Sequence, residues 1–490
     1  MNIAKSLILG SAATIVALGG AQAADLPLKA KAVEYVKVCS LYGAGFYYIP
    51  GTDTCIKLGG YLRADTSFNA AGAYDYPRWN GVPTTRASND YIARARQDIN
   101  IDTRTATEYG VVRTYFDVTF NWTTGSGVRA GSDDALWGGN NTGVGVYYAF
   151  IQFAGFTMGK AVSQFSTPWT GYPGNNTSFL IGGQDDVTGI NQFSYTAQFG
   201  NGVSATVSLE DASGSNLNNN PAVTGINELG TYNSYNRSQL YFVGPGGATI
   251  ANAWGGTNVP DIIGQIRVDQ AWGLFQVSAA AHQIRPNFYG TDDKWGFAVM
   301  AALSLKNLPT GPGDSINVDF TYSNGASRYV IGGVTGDNFG IFGTGGALGF
   351  GTAALGYTSD AITDGVSIET TEVWGLRGAF NHNWDPYWSS SLFGSYTQVS
   401  YNNTAKAILQ GSTICGGIGG GFCDPNFTLA QLGGVLRWTP VKNLTLSGEV
   451  MYSYIDQKND GLIATRGVAA GRELKDQGTW TFGVRAQRNF

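Results

Sequence analysis

Apolar and polar residues alternate with a period of two, over stretches of about ten residues, along most of the chain. Such alternation marks β-strands whose two faces meet different surroundings. From Arg94 to Arg104 the side chains of Arg94, Arg96, Asp98, Asn100, Asp102 and Arg104 share one face, and Ala95, Gln97, Ile99, Ile101 and Thr103 share the other. After a tight turn at Glu108-Tyr109-Gly110 the chain returns with Val112, Thr114, Phe116, Val118, Phe120 and Trp122 opposite Arg113, Tyr115, Asp117, Thr119 and Asn121. Read this way, the chain predicts strands at 55–69, 89–105, 108–124, 143–153, 155–160, 189–198, 202–211 and 260–270. The second half adds 273–285, 294–305, 314–324, 370–383, 386–401, 429–438, 443–455 and 478–490, an even total of sixteen.

Tight connections such as Phe199-Gly200-Asn201-Gly202 and Pro440-Val441-Lys442-Asn443 alternate with long Gly-, Asn- and Ser-rich stretches, notably 212–259, 325–369 and 402–428. Alternation alone also fits a soluble sandwich. Strand length, aromatics near strand ends (Phe120, Trp122, Trp438, Tyr452, Tyr454, Trp480) and the alternation of short turns with long loops favour a transmembrane barrel. The fold class expected is therefore all-β: a sixteen-stranded antiparallel barrel, closed because lipid tolerates no unpaired edge. The last segment alternates Trp480, Phe482, Val484 and Ala486 with polar residues and ends at Phe490, the kind of terminal aromatic by which outer-membrane barrels are recognised for insertion.

Composition sharpens this. Charged residues are 13% of the chain against about 25% in ordinary globular proteins, while 70 of 490 residues are Gly and 13% are aromatic. No stretch after Ala24 is long and apolar enough for a helical span. Residues 1–23 read as a signal peptide: Lys5, an apolar core from Leu7 to Leu18, and a small-residue cleavage site at Ala21-Gln22-Ala23. Residues 24–490 then form one exported barrel. Four cysteines in an exported chain suggest two local disulfides, Cys39 with Cys55 and Cys415 with Cys423. A zinc site is the alternative, but no Cys-x-x-Cys occurs and only His282 and His382 could assist, so no metal or cofactor is expected. A net charge of −5 gives no support for nucleic-acid binding. Catalysis would need a histidine beside a nucleophile; neither histidine lies in a recognisable motif, and Gly-x-Ser-x-Gly is absent.

A barrel of this size leaves an aqueous lumen rather than a packed core. Alternation assigns to it Lys57, Tyr61, Arg63 and Asp65, then Arg94, Arg96, Asp98, Asp102 and Arg104, then Arg113, Tyr115 and Asp117. Later strands add Arg267, Asp269, Arg377, Arg437, Glu449 and Arg485. One loop, 161–188, leaves the wall early, after a short fifth strand, and carries Trp169, Tyr172, Phe179 and the pair Asp185-Asp186.

The sequence resembles the alphaproteobacterial general porin family. The resemblance rests on Tyr35-Val36-Lys37-Val38-Cys39, Tyr42-Gly43-Ala44-Gly45-Phe46, Tyr48-Ile49-Pro50-Gly51-Thr52-Asp53-Thr54-Cys55 and Leu58-Gly59-Gly60-Tyr61-Leu62-Arg63. Val259-Pro260-Asp261-Ile262, Arg267-Val268-Asp269-Gln270-Ala271-Trp272-Gly273 and Arg488-Asn489-Phe490 extend it over nearly the whole chain. It implies a homotrimer among outer-membrane lipid, a third extracellular loop folded into the lumen (here 161–188), and passive diffusion of small hydrophilic molecules and ions. The expectation for the constriction is that Arg63, Arg94, Arg96 and Arg113 face Asp185 and Asp186 across a narrow gap. The plainer alternative pairs these arginines with Asp65, Asp98, Asp102 and Asp117 on neighbouring strands. A substrate-specific channel for sugars, phosphate or organic acids is the competing function.

Overall fold

The computed structural model describes residues 37–69, 91–124, 142–169, 172–176, 180–184, 188–211, 240–244, 249–250, 253, 255–331, 338–344, 351–410, 415, 418–419, 422–463 and 471–490. Residues 1–23, expected to be a signal peptide, and most of 212–259 lie outside these. Sixteen antiparallel strands form the wall. They are β1 (Thr54–Phe68), β2 (Tyr91–Thr107), β3 (Gly110–Thr124), β4 (Thr142–Phe153), β5 (Phe156–Ala161), β6 (Ile190–Gly200), β7 (Val203–Glu210) and β8 (Asp261–Gln270). The second half comprises β9 (Gly273–Ile284), β10 (Lys294–Lys306), β11 (Ser315–Asn324), β12 (Glu372–Asn383), β13 (Trp388–Ser400), β14 (Phe427–Val441), β15 (Leu444–Gln457) and β16 (Gln477–Asn489). Each pairs with its neighbour in sequence. β16 also pairs with β1, from Tyr61 opposite Asn489 to Phe68 opposite Phe482, so the barrel closes.

Every predicted strand is present. The largest displacement is in β14, expected to end at 438 and found to run to Val441. Its register shifts between Trp438 and Val441, around Pro440, which has no N–H to offer the ladder. The hairpin between β6 and β7 turns on Asn201-Gly202 with φ of 48° and 74°, the left-handed pair that matches the twist of two-residue hairpins.

The outer face carries the apolar half of the alternation. Leu58, Leu62, Phe116, Phe120, Ile151, Leu376 and Leu432 are all exposed, a surface no water-soluble protein sustains and one that lipid covers. Exposed Trp122, Trp295 and Trp480 ring the long-loop end. Trp272, Trp384, Trp388 and Trp438 ring the short-turn end, with Trp388 and Trp438 stacked at 5.8 Å. These are the two interfacial girdles of a membrane barrel.

The interior is not uniformly wet. Inward-facing Ile263, Ala280, Ala298, Met300 and Ala302 of β8–β10 pack against Phe165, Ala326 and Tyr329, which belong to two long loops. At the long-loop end, Tyr241 and Val243, Phe339 and Ile341, Ala405 and Leu409, and the Cys415–Cys423 disulfide share one apolar cluster. Small sheets tie the loops together: Leu240–Val243 lies parallel to Ala361–Thr363, and Thr352–Tyr357 to Glu473–Leu474. Four long connections thus fold into a single cap. Cys39 and Cys55 form the other predicted disulfide, at the short-turn end.

Because Leu62 faces lipid midway along β1, its replacement by Arg is expected to destabilise the folded barrel by roughly 2–4 kcal/mol. Tyr61→Arg, one residue away on the inner face, is expected to cost little. Equilibrium unfolding in lipid vesicles compares the two.

Candidate functional site

Charge on the inner wall is organised by ladder rows. Register places Arg437 opposite Ser447, Ser447 opposite Arg485, Arg485 opposite Asp65, and Asp65 opposite Arg94, so one row crosses β14, β15, β16, β1 and β2. Two residues nearer the short-turn end, Arg63 lies between Gln487 and Arg96, and Arg96 opposite Asn121. The Asp65 carboxylate accepts from Arg485 Nε at 2.6 Å and Arg94 Nη2 at 3.1 Å, one acid holding two guanidiniums. Arg63 donates to Gln487 Oε1 at 3.0 Å and covers the Tyr61 ring at 4.4 Å. Arg96 donates to Asn121 and lies 5.4 Å over the Tyr147 ring.

Arg113 stands apart. It and Arg104 share the Asp102 carboxylate at 3.0 and 2.9 Å. Its position is eight residues along β3 from Asn121, roughly 26 Å at about 3.3 Å per residue. The four arginines singled out from sequence therefore form a group of three and a separate one. Asp185 and Asp186 lie outside the described residues. Of the alternative partners, Asp65 and Asp102 are engaged by arginines, whereas Asp117 accepts from the Tyr115 hydroxyl at 3.3 Å.

The segment after β5 runs across the interior from the β7–β9 side to Arg437 and Arg485, held by inward-facing side chains. Glu210 accepts from Ser163 Oγ at 2.6 Å and Gln164 N at 2.7 Å. Gln265 and Gln276 donate to the Gln164 and Ser166 carbonyls at 2.6 and 2.7 Å. Asn317 and Asn381 both donate to the Pro173 carbonyl, at 2.7 and 3.1 Å. Arg437 reaches the Gly174 carbonyl at 2.6 Å, Arg485 the Asn176 carbonyl at 3.1 Å, and Glu449 accepts from Asn176 N at 2.5 Å. Further on, Arg377 donates to the Leu180 carbonyl at 3.2 Å while paired at 2.9 Å with buried Asp319. Backbone polar groups without a ladder must find such partners. Gly174 permits the close approach, since a Cβ there would sit 2.6 Å from the Ala379 methyl.

Arg437 and Arg485 thus join the charged row and hold the loop as well. Alternation placed them in the lumen, but their position beside the loop depends on how β14–β16 register against β1, which local pattern does not encode. The second inward segment, Ala326–Ile331, was not anticipated. Tyr329 packs on Phe165 at 4.4 Å and donates to Asp261 at 2.5 Å, and Gly182 N donates to the Val330 carbonyl at 3.0 Å. Asp261 in turn meets His282 Nδ1 at 2.7 Å on the next strand, so the Tyr329 hydroxyl ties the loop to a buried pair of the wall. Trp169 packs against the same cluster.

Comparison with known proteins adds to this geometry. Residues 25–482 match the family described as the porin subfamily. The chain is 38% identical over 239 residues to porin Omp2a of Brucella melitensis, covering 46% of this chain and 60% of that protein. It is 33% identical over 280 residues to porin Omp2b of Brucella suis, covering 56% and 64%. The aligned stretch is thus less than two thirds of either relative's length. Among solved structures, the outer membrane channel DcaP of Acinetobacter baumannii shares the fold, with a TM-score of 0.59 over 90% of this chain and 99% of that one at 14% identity.

Truncating Arg437 to Ala strands the Gly174 carbonyl, a loss of about 1–3 kcal/mol. Hydrogen exchange at the Asn176 amide is expected to accelerate about ten-fold. The same truncation at Arg104, which does not touch the loop, is expected to leave that amide unchanged.

Proposed function

Because this chain belongs to the porin subfamily, we propose that it forms a water-filled channel for passive diffusion of small hydrophilic solutes and ions across the outer membrane. The observation that carries this reading is the division of the lumen. One side is occupied by a loop bonded to the wall, whose end reaches Arg437 and Arg485 of an ionised row that continues through Asp65 and Arg94, with Arg63 and Arg96 beside it. Selectivity in such a pore follows from width and from the charges that line it.

In this proposal Arg63, Arg94 and Arg96 form the basic side of the constriction and segment 161–188, with Asp185 and Asp186, the facing side. Arg113 belongs to the same wall but acts nearer the short-turn mouth. The excess of arginine over acid in the row favours anions weakly. Residues 1–23 direct export and are removed, and the mature chain assembles as a homotrimer. Neither histidine is assigned a catalytic part: His282 Nδ1 and His382 Nδ1 each bond a carboxylate, Asp261 and Asp314, at 2.7 Å.

The competing reading, a channel specific for one solute class, would in the sugar case call on a run of aromatics along the path. Trp169 is instead packed against the Phe165 and Tyr329 cluster, which speaks for general diffusion.

Single channels of the refolded protein in planar bilayers under a salt gradient test the proposal. Large ohmic openings in groups of three, with a weak anion preference, are expected. Arg94→Glu is expected to move the reversal potential toward cation preference by several millivolts or more, since charge at a narrow, low-dielectric gap is poorly screened. An unchanged potential removes Arg94 from the constriction.

A further inference from the structure

A compact, disulfide-closed segment stands at the opposite end of the lumen from the cap. Segment 37–53, ahead of β1, closes on itself: Cys39 N donates to the Phe46 carbonyl at 3.0 Å and Tyr48 N to the Lys37 carbonyl at 2.8 Å. Tyr47 and Tyr48 then pair with Ile56 and Cys55 of β1. Cys55 has the same parity as Lys57, Arg63 and Asp65, so it points inward. Its disulfide to Cys39 therefore holds this knob against the inside of the rim, with Cys39 and Cys55 both fully buried.

The knob covers cations of the wall. The buried Phe46 ring receives the Arg104 guanidinium at 4.9 Å and the Lys57 ammonium at 5.9 Å, and Tyr42 lies 5.7 Å from Arg104 and 6.0 Å from Phe46. Aromatic faces hold cations without neutralising them. Arg104 and Arg113 meanwhile share the single Asp102 carboxylate, and Arg113 Nη1 donates to Gln152 at 2.9 Å. Lys57, Arg104 and Arg113 against Asp102 leave this spot net positive. The knob's own Asp53 and Glu108 of the adjoining turn are exposed beyond it.

We propose that the knob is a mouth-side selectivity element, which narrows the short-turn exit and presents Lys57, Arg104 and Arg113 to small carboxylate anions independently of the constriction. The proposal rests on the channel reading. In membrane barrels the short-turn end faces the periplasm, so this element meets solutes as they leave.

The test uses wild-type channels of known orientation in planar bilayers, with citrate added to one side at a time. Citrate from the short-turn side is expected to block more strongly than from the loop side. Lys57→Glu and Phe46→Ala are each expected to weaken that block by about three-fold, the ratio set by losing or misplacing one partly exposed charge contact. Block from the loop side should stay unchanged in both. Lys57 is exposed, so its replacement keeps the test open if Phe46→Ala disturbs insertion. Equal block from the two sides, or a block indifferent to Lys57→Glu, overturns the mouth-side element while leaving a conducting channel intact. A folded wild-type barrel that does not conduct overturns the channel reading itself.

Discussion

A chain that leaves a β-ladder inside a barrel forfeits its hydrogen bonds, and here side chains of the wall restore them. Between Ser163 and Leu180 the partners include Glu210, Gln265, Gln276, Asn317, Asn381, Arg437, Glu449, Arg485 and Arg377, drawn from most of the circumference. Each bond is modest alone, but an unsatisfied carbonyl in this interior is costly, so the set fixes the path of the loop. The free cross-section, the burial of Arg377 with Asp319, and the company kept by the charged row all follow from that path.

The lumen is consequently two-sided. On the β8–β10 side a patch of small or apolar inward residues lies among Gln265, Gln276 and the Asp261–His282 pair, and Phe165, Tyr329 and Ala326 fill the space the patch leaves. On the β14–β3 side the ionised inward residues are held by each other: Asp65 by two arginines, Asp102 by two more. Arginine suits both tasks, since its planar head can bind a carboxylate and still offer an N–H to a loop carbonyl, as Arg485 does with Asp65 and Asn176.

Much of this was legible in the sequence because strands report themselves locally. A period of two names the strand, its parity names the face, and turn residues name the ends; thus Arg94 and Leu62 could be assigned to water and lipid without coordinates. The two disulfides were legible from short sequence separations. What parity cannot supply is the circumferential neighbour. Arg113 was grouped with Arg94 and Arg96, although β3 carries it far down the wall. Arg437 and Arg485 were known to face inward, yet only closure of β16 on β1 brings Arg485 to Asp65 and sets Arg437 in the same row. Ala326–Ile331 lies in a stretch whose composition reads as ordinary loop, and its inward course depends on Phe165 from another loop. Pro440 looked like a turn and sits in a strand because the ladder simply steps around it.

The cap at the long-loop end separates this molecule from a barrel with independent surface loops. Tyr241, Phe339, Ile362, Ala405 and Leu409 come from three different connections and share one dry cluster, braced by Cys415–Cys423. Surface loops ordinarily drift in sequence one at a time. Here a change in one alters the fit of the others, so the outward face varies as a unit, and an antibody or phage tail that approaches it meets a folded relief rather than separate peptides.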